Sequence, residues 1–289
     1  MKTIKLFIFI LTVIGFSSCE DVIQVKLDEG APIITIDAFI NDMRLQQTVR
    51  LTFTDSYFSQ KPNSPITGAS VHVKDLTSGL DYVFIDNNNG IYAYDVTPSD
   101  TLGRVGHKYE LTVTHQGKVY TSYTKMNRTT KVDSLVAKYK EAGSLGGKAG
   151  YKFAFLGFDI PGDTLDYYWI KSYRNGVFFN KGVDINIAVN AAYGAGADGF
   201  PFIPPIAQAI TPFGEVFNKY DVCRVEIHSV SLDTYNFLLQ VFTQTTNSGL
   251  FATSPENVKT NIACVTDGKT KVVGWFSMSA VGFKEAVAQ

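Results

Sequence analysis

Apolar residues recur at every second position through much of the chain. Ile34, Ile36, Ala38 and Ile40 share one face of a first run, and Val49, Leu51 and Phe53 share one face of the next. A period of two, carried by β-branched and aromatic residues, predicts strands with one buried face. Turn signals separate the runs. Asn89-Gly90 precedes Ile91–Tyr94, Gln116-Gly117 divides Tyr109–Val113 from Val119–Tyr123, and Asn175-Gly176 divides Tyr167–Tyr173 from Val177–Phe179. Pairs of this kind suit tight hairpins, where the backbone must adopt positive φ.

About seven strands fit between Ile33 and Lys125 at intervals near ten residues, a spacing that predicts sandwich packing rather than a parallel α/β sheet. The pattern lapses at Asn127–Lys131, and a new series opens with Val132–Tyr139 and Tyr151–Phe158. The expected fold is therefore all-β, in two β-sandwich domains. An immunoglobulin-like or transthyretin-like unit occupies 32–129, and a second sandwich with one short helix occupies 130–289. Ser231 is the expected N-cap of that helix and Asp233 lies in its first turn. Leu232, Tyr235, Leu238, Leu239 and Phe242 recur at helical spacing, so the helix should pack on a sheet. Val272–Met278 reads as the last core strand, and no internal repeat is evident.

Two loops stand out. Gly143–Gly150 reads as a glycine-rich hairpin loop. The segment 191–214 is rich in Gly, Pro and aromatics, and carries Tyr193, Phe200, Phe202, Ile203, Ile206 and Phe213. Long loops are usually functional or disordered, and disordered ones are seldom so apolar. Tyr193, Phe200, Phe202 and Phe213 are the candidate partner-binding residues.

The N-terminus changes the picture of where this fold resides. Lys2 and Lys5 precede an apolar run, Leu6–Phe16, that is too short to cross a bilayer. Residues 1–18 are the expected signal peptide. The run ends Phe16-Ser17-Ser18-Cys19, which resembles the bacterial lipobox and implies that Cys19 is acylated and heads a lipidated tether over 19–31. Each buried CH2 of an acyl chain adds about 0.8 kcal/mol, so a multiply acylated cysteine anchors stably. The competing reading is an ordinary cleaved signal with an incidental cysteine, which would leave a free thiol in an oxidising compartment. No later stretch is apolar for long enough to span a membrane.

Composition narrows the functional classes. The chain of 289 residues is 45% hydrophobic and 18% charged, with 26 Lys+Arg against 27 Asp+Glu. That hydrophobicity with so little net charge predicts a folded chain, and the lack of a basic excess argues against nucleic acid. Removal of the signal takes away Lys2 and Lys5 and no acid.

No catalytic constellation is evident in the linear sequence. His72, His107, His115 and His228 show no metal-ligand spacing, no Gly-x-Ser-x-Gly elbow occurs, and Gly143–Gly150 lacks the Lys-Ser/Thr ending of a phosphate loop. Asp159, Asp163 and Asp166 could gather around calcium, although their spacing is not that of an EF-hand and an Asp/Pro/Gly turn accounts for them equally. No cofactor and no metal is expected. Cys223 and Cys264 either form a disulfide or are two buried thiols on neighbouring strands. Trp169 and Trp275, with the many Tyr and Phe residues, read either as core or as sugar-stacking platforms. Asn127-Arg128-Thr129 has the N-glycosylation form, which in a bacterial lipoprotein is incidental.

Several segments, taken in order, are similar to the Bacteroidota lipoprotein family catalogued as domain of unknown function 4249. They are the lipobox followed by Ile33–Ala38; Leu51–Phe58 leading to Pro65–Val73; Gly90–Tyr92; Tyr167–Ile170; the helix from Ser231; and Ser254–Ile262 before Val273–Ser277. The resemblance covers nearly the whole chain after the signal, and the segment 191–214 matches no pattern of the family. It implies an outer-membrane lipoprotein, often encoded beside a TonB-dependent receptor, and carries over no catalytic residue. Glu20 and Asp21, directly after Cys19, resemble the acidic signal for surface export in Bacteroidota; a solvated acidic tether is the other reading. Asp100-Thr101-Leu102, Asp133-Ser134-Leu135 and Asp163-Thr164-Leu165 resemble the short O-glycosylation pattern of such exported proteins.

The expectation is a non-enzymatic outer-membrane lipoprotein, anchored through acylated Cys19 and displayed at the cell surface. It would capture a small-molecule, peptide or glycan ligand for a TonB-dependent transporter, or act as that transporter's accessory subunit. The alternative is a structural or adhesive envelope lipoprotein that works without a transporter.

Overall fold

Alternation of buried and exposed residues decides where the strands lie. In β1 (Ile34–Asn41) every second residue is buried, and the same alternation runs through β2 (Gln47–Phe53), β3 (Ser70–Asp75), β4 (Asp81–Asp86) and β6 (Lys108–His115). β5 (Ile91–Tyr94) and β7 (Lys118–Lys125) complete the seven strands of the first half. The structure, a computed structural model, describes residues 30–56, 59, 61–100, 102–143, 147–162, 165–189, 199–247, 252, 254 and 256–289, and Pro32–Gln289 form one compact unit. Cys19 lies outside the described residues.

These strands, with β14 (Ala263–Cys264) and β15 (Val272–Ser279), build one nine-stranded sheet in the order β14-β7-β6-β3-β4-β5-β2-β1-β15. β4 turns the corner of the sandwich: Tyr82–Phe84 pair with β3, while Ile85 and Asp86 pair with β5. The sheet rolls far enough for β7 to pack beside β15. Ile36, Ile40, Leu51, Val71, Val73, Tyr92, Tyr109, Leu111 and Val113 fill the space between its layers. Gln116 and Asn175 stand at φ 47° and 52°, each ahead of its glycine, as the hairpin signals require.

β1 and β15 pair in parallel over their whole length, from Ile34 opposite Val272 to Asn41 opposite Ser279. Gly274 makes this approach feasible. Its φ is +109°, and a Cβ there would lie 1.9 Å from the Ile36 carbonyl oxygen.

The remaining strands form the second half. β10 (Tyr167–Arg174), β11 (Val177–Phe178), β13 (Val222–Val230) and β16 (Val281–Val287) make a sheet ordered β11-β10-β13-β16, with β12 (Asn186–Val189) also paired to β10. A ribbon of β8 (Ser134–Lys140) and β9 (Gly150–Leu156) covers one face. Phe153, Phe155, Tyr168, Ile170, Phe217, Val225 and Ile227 make the second core. The other face of this sheet packs toward β1, β15 and the helix α2 (Leu232–Thr246).

Two expectations are corrected, the domain division and the disulfide. The division into 32–129 and 130–289 does not follow the chain, because β14 and β15 return to the first core and Ile262, Cys264, Phe276 and Met278 are buried there. Val272–Ser279 is the last strand with buried core residues, and after Ala280 the chain crosses to the other sheet as β16, none of whose residues is fully buried. Cys223 and Cys264 are free thiols buried in separate cores, so no disulfide joins them. Helix α2 has its expected cap, since the Ser231 hydroxyl accepts from the Thr234 amide at 3.1 Å. Its packing face, however, is centred on Thr234 and Leu238, and Leu232 and Leu239 point outward.

Candidate functional site

Two concave regions meet at a 3₁₀ turn, Gly182–Asp184. The turn sits directly on α2: a Cβ on Gly182 would lie 2.1 Å from Thr245 Oγ1, so a side chain there would push the turn away from the helix. Asp184 and Ile185 line both regions and form the wall between them.

The first is an open groove of about 1030 Å³. The outward side chains of the ribbon form one wall, with Val136 and Lys138 on β8 and Lys152 and Leu156 on β9. The facing wall comes from the segment read as an insertion, which contains a short helix, α1 (Pro204–Gln208), and ends at Pro212 and Phe213. β9 is held to that segment by the Thr211 hydroxyl on the Phe153 backbone and, just beyond it, by reciprocal backbone bonds between Tyr151 and Phe217. Lys138 and Lys152 are opposed in register, two like charges on one face, a placement that weakens a ribbon unless something anionic lies against it.

The four candidate aromatics separate here. Phe213 is fully exposed, at 104% of its reference surface, on the groove's rim, and Phe200 is also exposed. Phe202 is corrected to a packing residue: its ring sits 5.4 Å from both Phe155 and Tyr168, at the edge of the second core. Tyr193 lies outside the described residues. Ala207 and Ile210 of the same segment are buried, so much of its apolar character serves the core.

The second region is a cleft of about 450 Å³ between β1, β15, β10, the 3₁₀ turn and α2. Aromatic rings make its walls. Phe237 stacks on Trp275 at 4.5 Å, Phe39 meets Trp169 edge-on at 5.2 Å, and Phe178 closes the side. The Trp275 indole N–H donates to Thr234 Oγ1 at 3.0 Å, fixing α2 against the wall. Trp169 and Trp275 thus line a cavity rather than filling a closed core.

Charge is concentrated behind this cleft, on the face of β13 that looks toward the first sheet. Glu226 is buried and accepts from Tyr173 Oη at 2.8 Å, His228 Nε2 at 2.9 Å and Arg224 Nε at 2.7 Å. Burial alone would raise its pKa; those three donors outweigh burial and hold it down to about 2. Burial holds the His228 imidazole down to about 4, so it is neutral at ordinary pH and donates through Nε2. Arg224 reaches on to Glu285 at 3.0 Å and stacks over Phe283.

Other polar groups gather elsewhere. Ser70 Oγ lies 2.9 Å from His72 Nε2, and His72 Nδ1 lies 2.9 Å from Asp81 Oδ2, the hydrogen-bond order of a hydrolytic triad. It stands on the open face of β3 and β4, and the amides just upstream that could have stabilised an oxyanion are engaged, Gly68 N–H on Asp86 and Ala69 N–H on Tyr92 Oη. His107 pairs with the buried Asp75 at 2.7 Å. In the Asp-rich turn, Asp166 Oδ2 accepts from both Nε and Nη2 of Arg128 and Asp159 accepts from Tyr168 Oη, so the local cation is a guanidinium; Asp163 lies outside the described residues. Among the described residues, no group of three or more His, Cys, Asp or Glu side chains is placed to hold a metal ion.

The family model described as Domain of unknown function (DUF4249) matches residues 20–285. The chain belongs to that family. No curated protein matches it. Among solved structures it is similar to the crystal structure of the chicken CNTN1 FN1-FN3 domains, at 8% identity and a TM-score of 0.22, over 71% of this chain and 64% of that one. The chain thus spans less than two thirds of that structure's length, and likeness at this score carries nothing about function.

Linear reading missed Asp37 of the cleft wall, the Ser70-His72-Asp81 chain and the opposed lysines of the ribbon. One signal was available for the cleft. β10 carries aromatics on both faces, Tyr168 on one and Trp169 and Tyr173 on the other, as a strand covered on both sides must.

Proposed function

We propose that this protein is a non-enzymatic lipoprotein of the bacterial outer membrane, anchored through acylated Cys19 and displayed at the cell surface, that serves a TonB-dependent transporter as a ligand-capture or accessory subunit. The observation that carries the reading is Phe213, a large apolar side chain left wholly in water on the rim of a groove of about 1030 Å³. Burying such a ring against a partner gains about 1.5–3 kcal/mol, and apolar groups at the edge of a concavity are where partners seat. Membership of the family and the lipobox-like Phe16–Cys19 support the envelope location.

The test is a detergent pull-down of the tagged lipoprotein from its own membranes, paired with protease shaving of whole cells. Recovery of a TonB-dependent barrel with the wild-type protein, lost in a Phe213→Ser, Phe200→Ser double variant that still folds, is the expected result. Absence of any barrel, or complete protection from protease, retires the reading in favour of a structural or adhesive envelope lipoprotein.

A further inference from the structure

The ribbon wall of the large groove changes character along its length. Its groove-facing rows run Ser134 beside Leu156, then Val136 beside Ala154, then Lys138 beside Lys152. At about 3.4 Å per residue, the last row stands about 14 Å from the first. The wall is apolar toward one end and doubly cationic at the other. Among the described residues, neither lysine has an ion-pair or hydrogen-bond partner. Asp184, the acid among the lining residues, lies on the 3₁₀ turn and accepts from the Lys181 backbone N–H at 3.3 Å.

The apolar part is more than one stray residue. Val136 and Leu156 of the ribbon, Val183 of the 3₁₀ turn and Phe213 of the rim all line the groove, and all four are exposed. Single apolar residues on a surface are ordinary, but large ones from three segments gathered on one concavity mark a place where something apolar seats. The two lysines repel one another across the ribbon, and an anion lying between them would relieve that repulsion. The occupant therefore needs an apolar body with a negative charge at one end. The wall also meets it with side chains alone. β8 and β9 pair their backbones with each other from Ser134–Leu156 to Lys140–Gly150, and Tyr151 and Phe153 bond outward to Phe217 and Thr211. An extended peptide would bring N–H and C=O groups that this side-chain face leaves unpaired, whereas a hydrocarbon chain brings none.

We propose that the groove binds a long-chain carboxylate of the fatty-acid type, its head between Lys138 and Lys152 and its chain along Val136 and Leu156 against Phe213. The volume of about 1030 Å³ is at the upper end for a small-molecule site and leaves room for a single chain. Each methylene laid on the apolar rows adds to affinity, and the charge-assisted bonds at the head select the carboxylate over an alcohol or an amine of equal length. The proposal rests on the ligand-capture reading and gives that ligand its chemistry.

The test places full-length lipoprotein in phosphatidylcholine nanodiscs, where no detergent competes for the groove. The probe is dodecanoate carrying a diazirine at its far end, with the matching alcohol and amine as controls, and the adducts are mapped by peptide mass spectrometry. Carboxylate adducts on the peptides that hold Leu156 or Phe213, displaced by unlabelled dodecanoate and about tenfold or more above those of either control, are the expected result. Lys138→Glu separates recognition from folding. It sets opposite charges across the ribbon, so it should melt no lower than wild type while losing about tenfold or more of those adducts. Lys152→Gln should lose them as well. No adduct in the groove, adducts as strong with the alcohol or the amine, or adducts undiminished in both variants overturns the assignment. Groove adducts without a co-purified barrel keep the site and retire the transporter; a barrel without groove adducts does the reverse.

Discussion

Replacing His228 with Gln should make the protein resist acid better than the wild type does. The imidazole is 3% exposed, its Nε2 donates to Glu226 at 2.9 Å, and it packs 6.2 Å from the Trp169 ring. Burial brings its pKa from 6.5 down to about 4. The sign follows from counting protons. Between pH 6.5 and 4 the unfolded chain takes up a proton that the folded chain does not, so stability falls as pH falls. Each tenfold change in proton affinity is worth about 1.4 kcal/mol, which gives a loss of about 3 kcal/mol across that window from this one residue. Gln keeps a donor to Glu226 and does not titrate. Denaturant midpoints of both proteins at pH 7.5, 5.5 and 4.5 measure the difference, because the carboxylates that titrate in acid are common to both. The stability of H228Q relative to wild type should rise by about 2.5 kcal/mol between the first and last pH, or at least about 5 °C in melting temperature for a domain of this size. Parallel pH profiles would refute the reasoning and mean that the folded imidazole accepts its proton freely.

Other outcomes follow from the same geometry. Gly274→Ala places a methyl group against the Ile36 carbonyl at a backbone angle that side chains rarely adopt, and should cost at least about 2 kcal/mol by thermal melting. Phe202→Ala should cost about 2 kcal/mol or more while Phe213→Ser stays within about 0.5 kcal/mol, since only the first ring packs on Phe155 and Tyr168. A fluorophosphonate probe should leave Ser70 unlabelled at neutral pH; stoichiometric labelling lost in His72→Ala would show a working nucleophile and contradict the non-enzymatic reading.

What could be read in advance was local. The alternation in β1 to β7 and the Gln116-Gly117 and Asn175-Gly176 turns act within a few residues, and the cap at Ser231 acts within one helical turn. The parallel pairing of β1 with β15 joins opposite ends of the chain, and nothing in either strand names its partner. For the same reason the free thiols looked like a pair: Cys223 and Cys264 both lie in the second half, and only the return of β14 to the first sheet puts Cys264 in the other core. In the segment 191–214, aromatic content by itself could not separate Phe202, which packs inward, from Phe213, which does not.

The cleft was hidden by a different ambiguity. Thr35, Asp37 and Phe39 occupy the face of β1 opposite Ile34, Ile36 and Ala38, and by pattern that face belongs to water. It is instead overlaid by a second sheet, which turns a half-polar strand face into an interface between layers. Arg224, Glu226, His228 and Tyr173, all on the second sheet, satisfy one another there by directional bonds. Lys171 stands opposite Glu226 in the β10–β13 register and feels its charge, while Asp37 is an exposed position of β1. An Asp37→Asn, Lys171→Met double variant that melts no lower than wild type would show that cohesion of the layers does not need either charge, whereas a lower melting temperature would show that Lys171 offsets the buried Glu226 carboxylate.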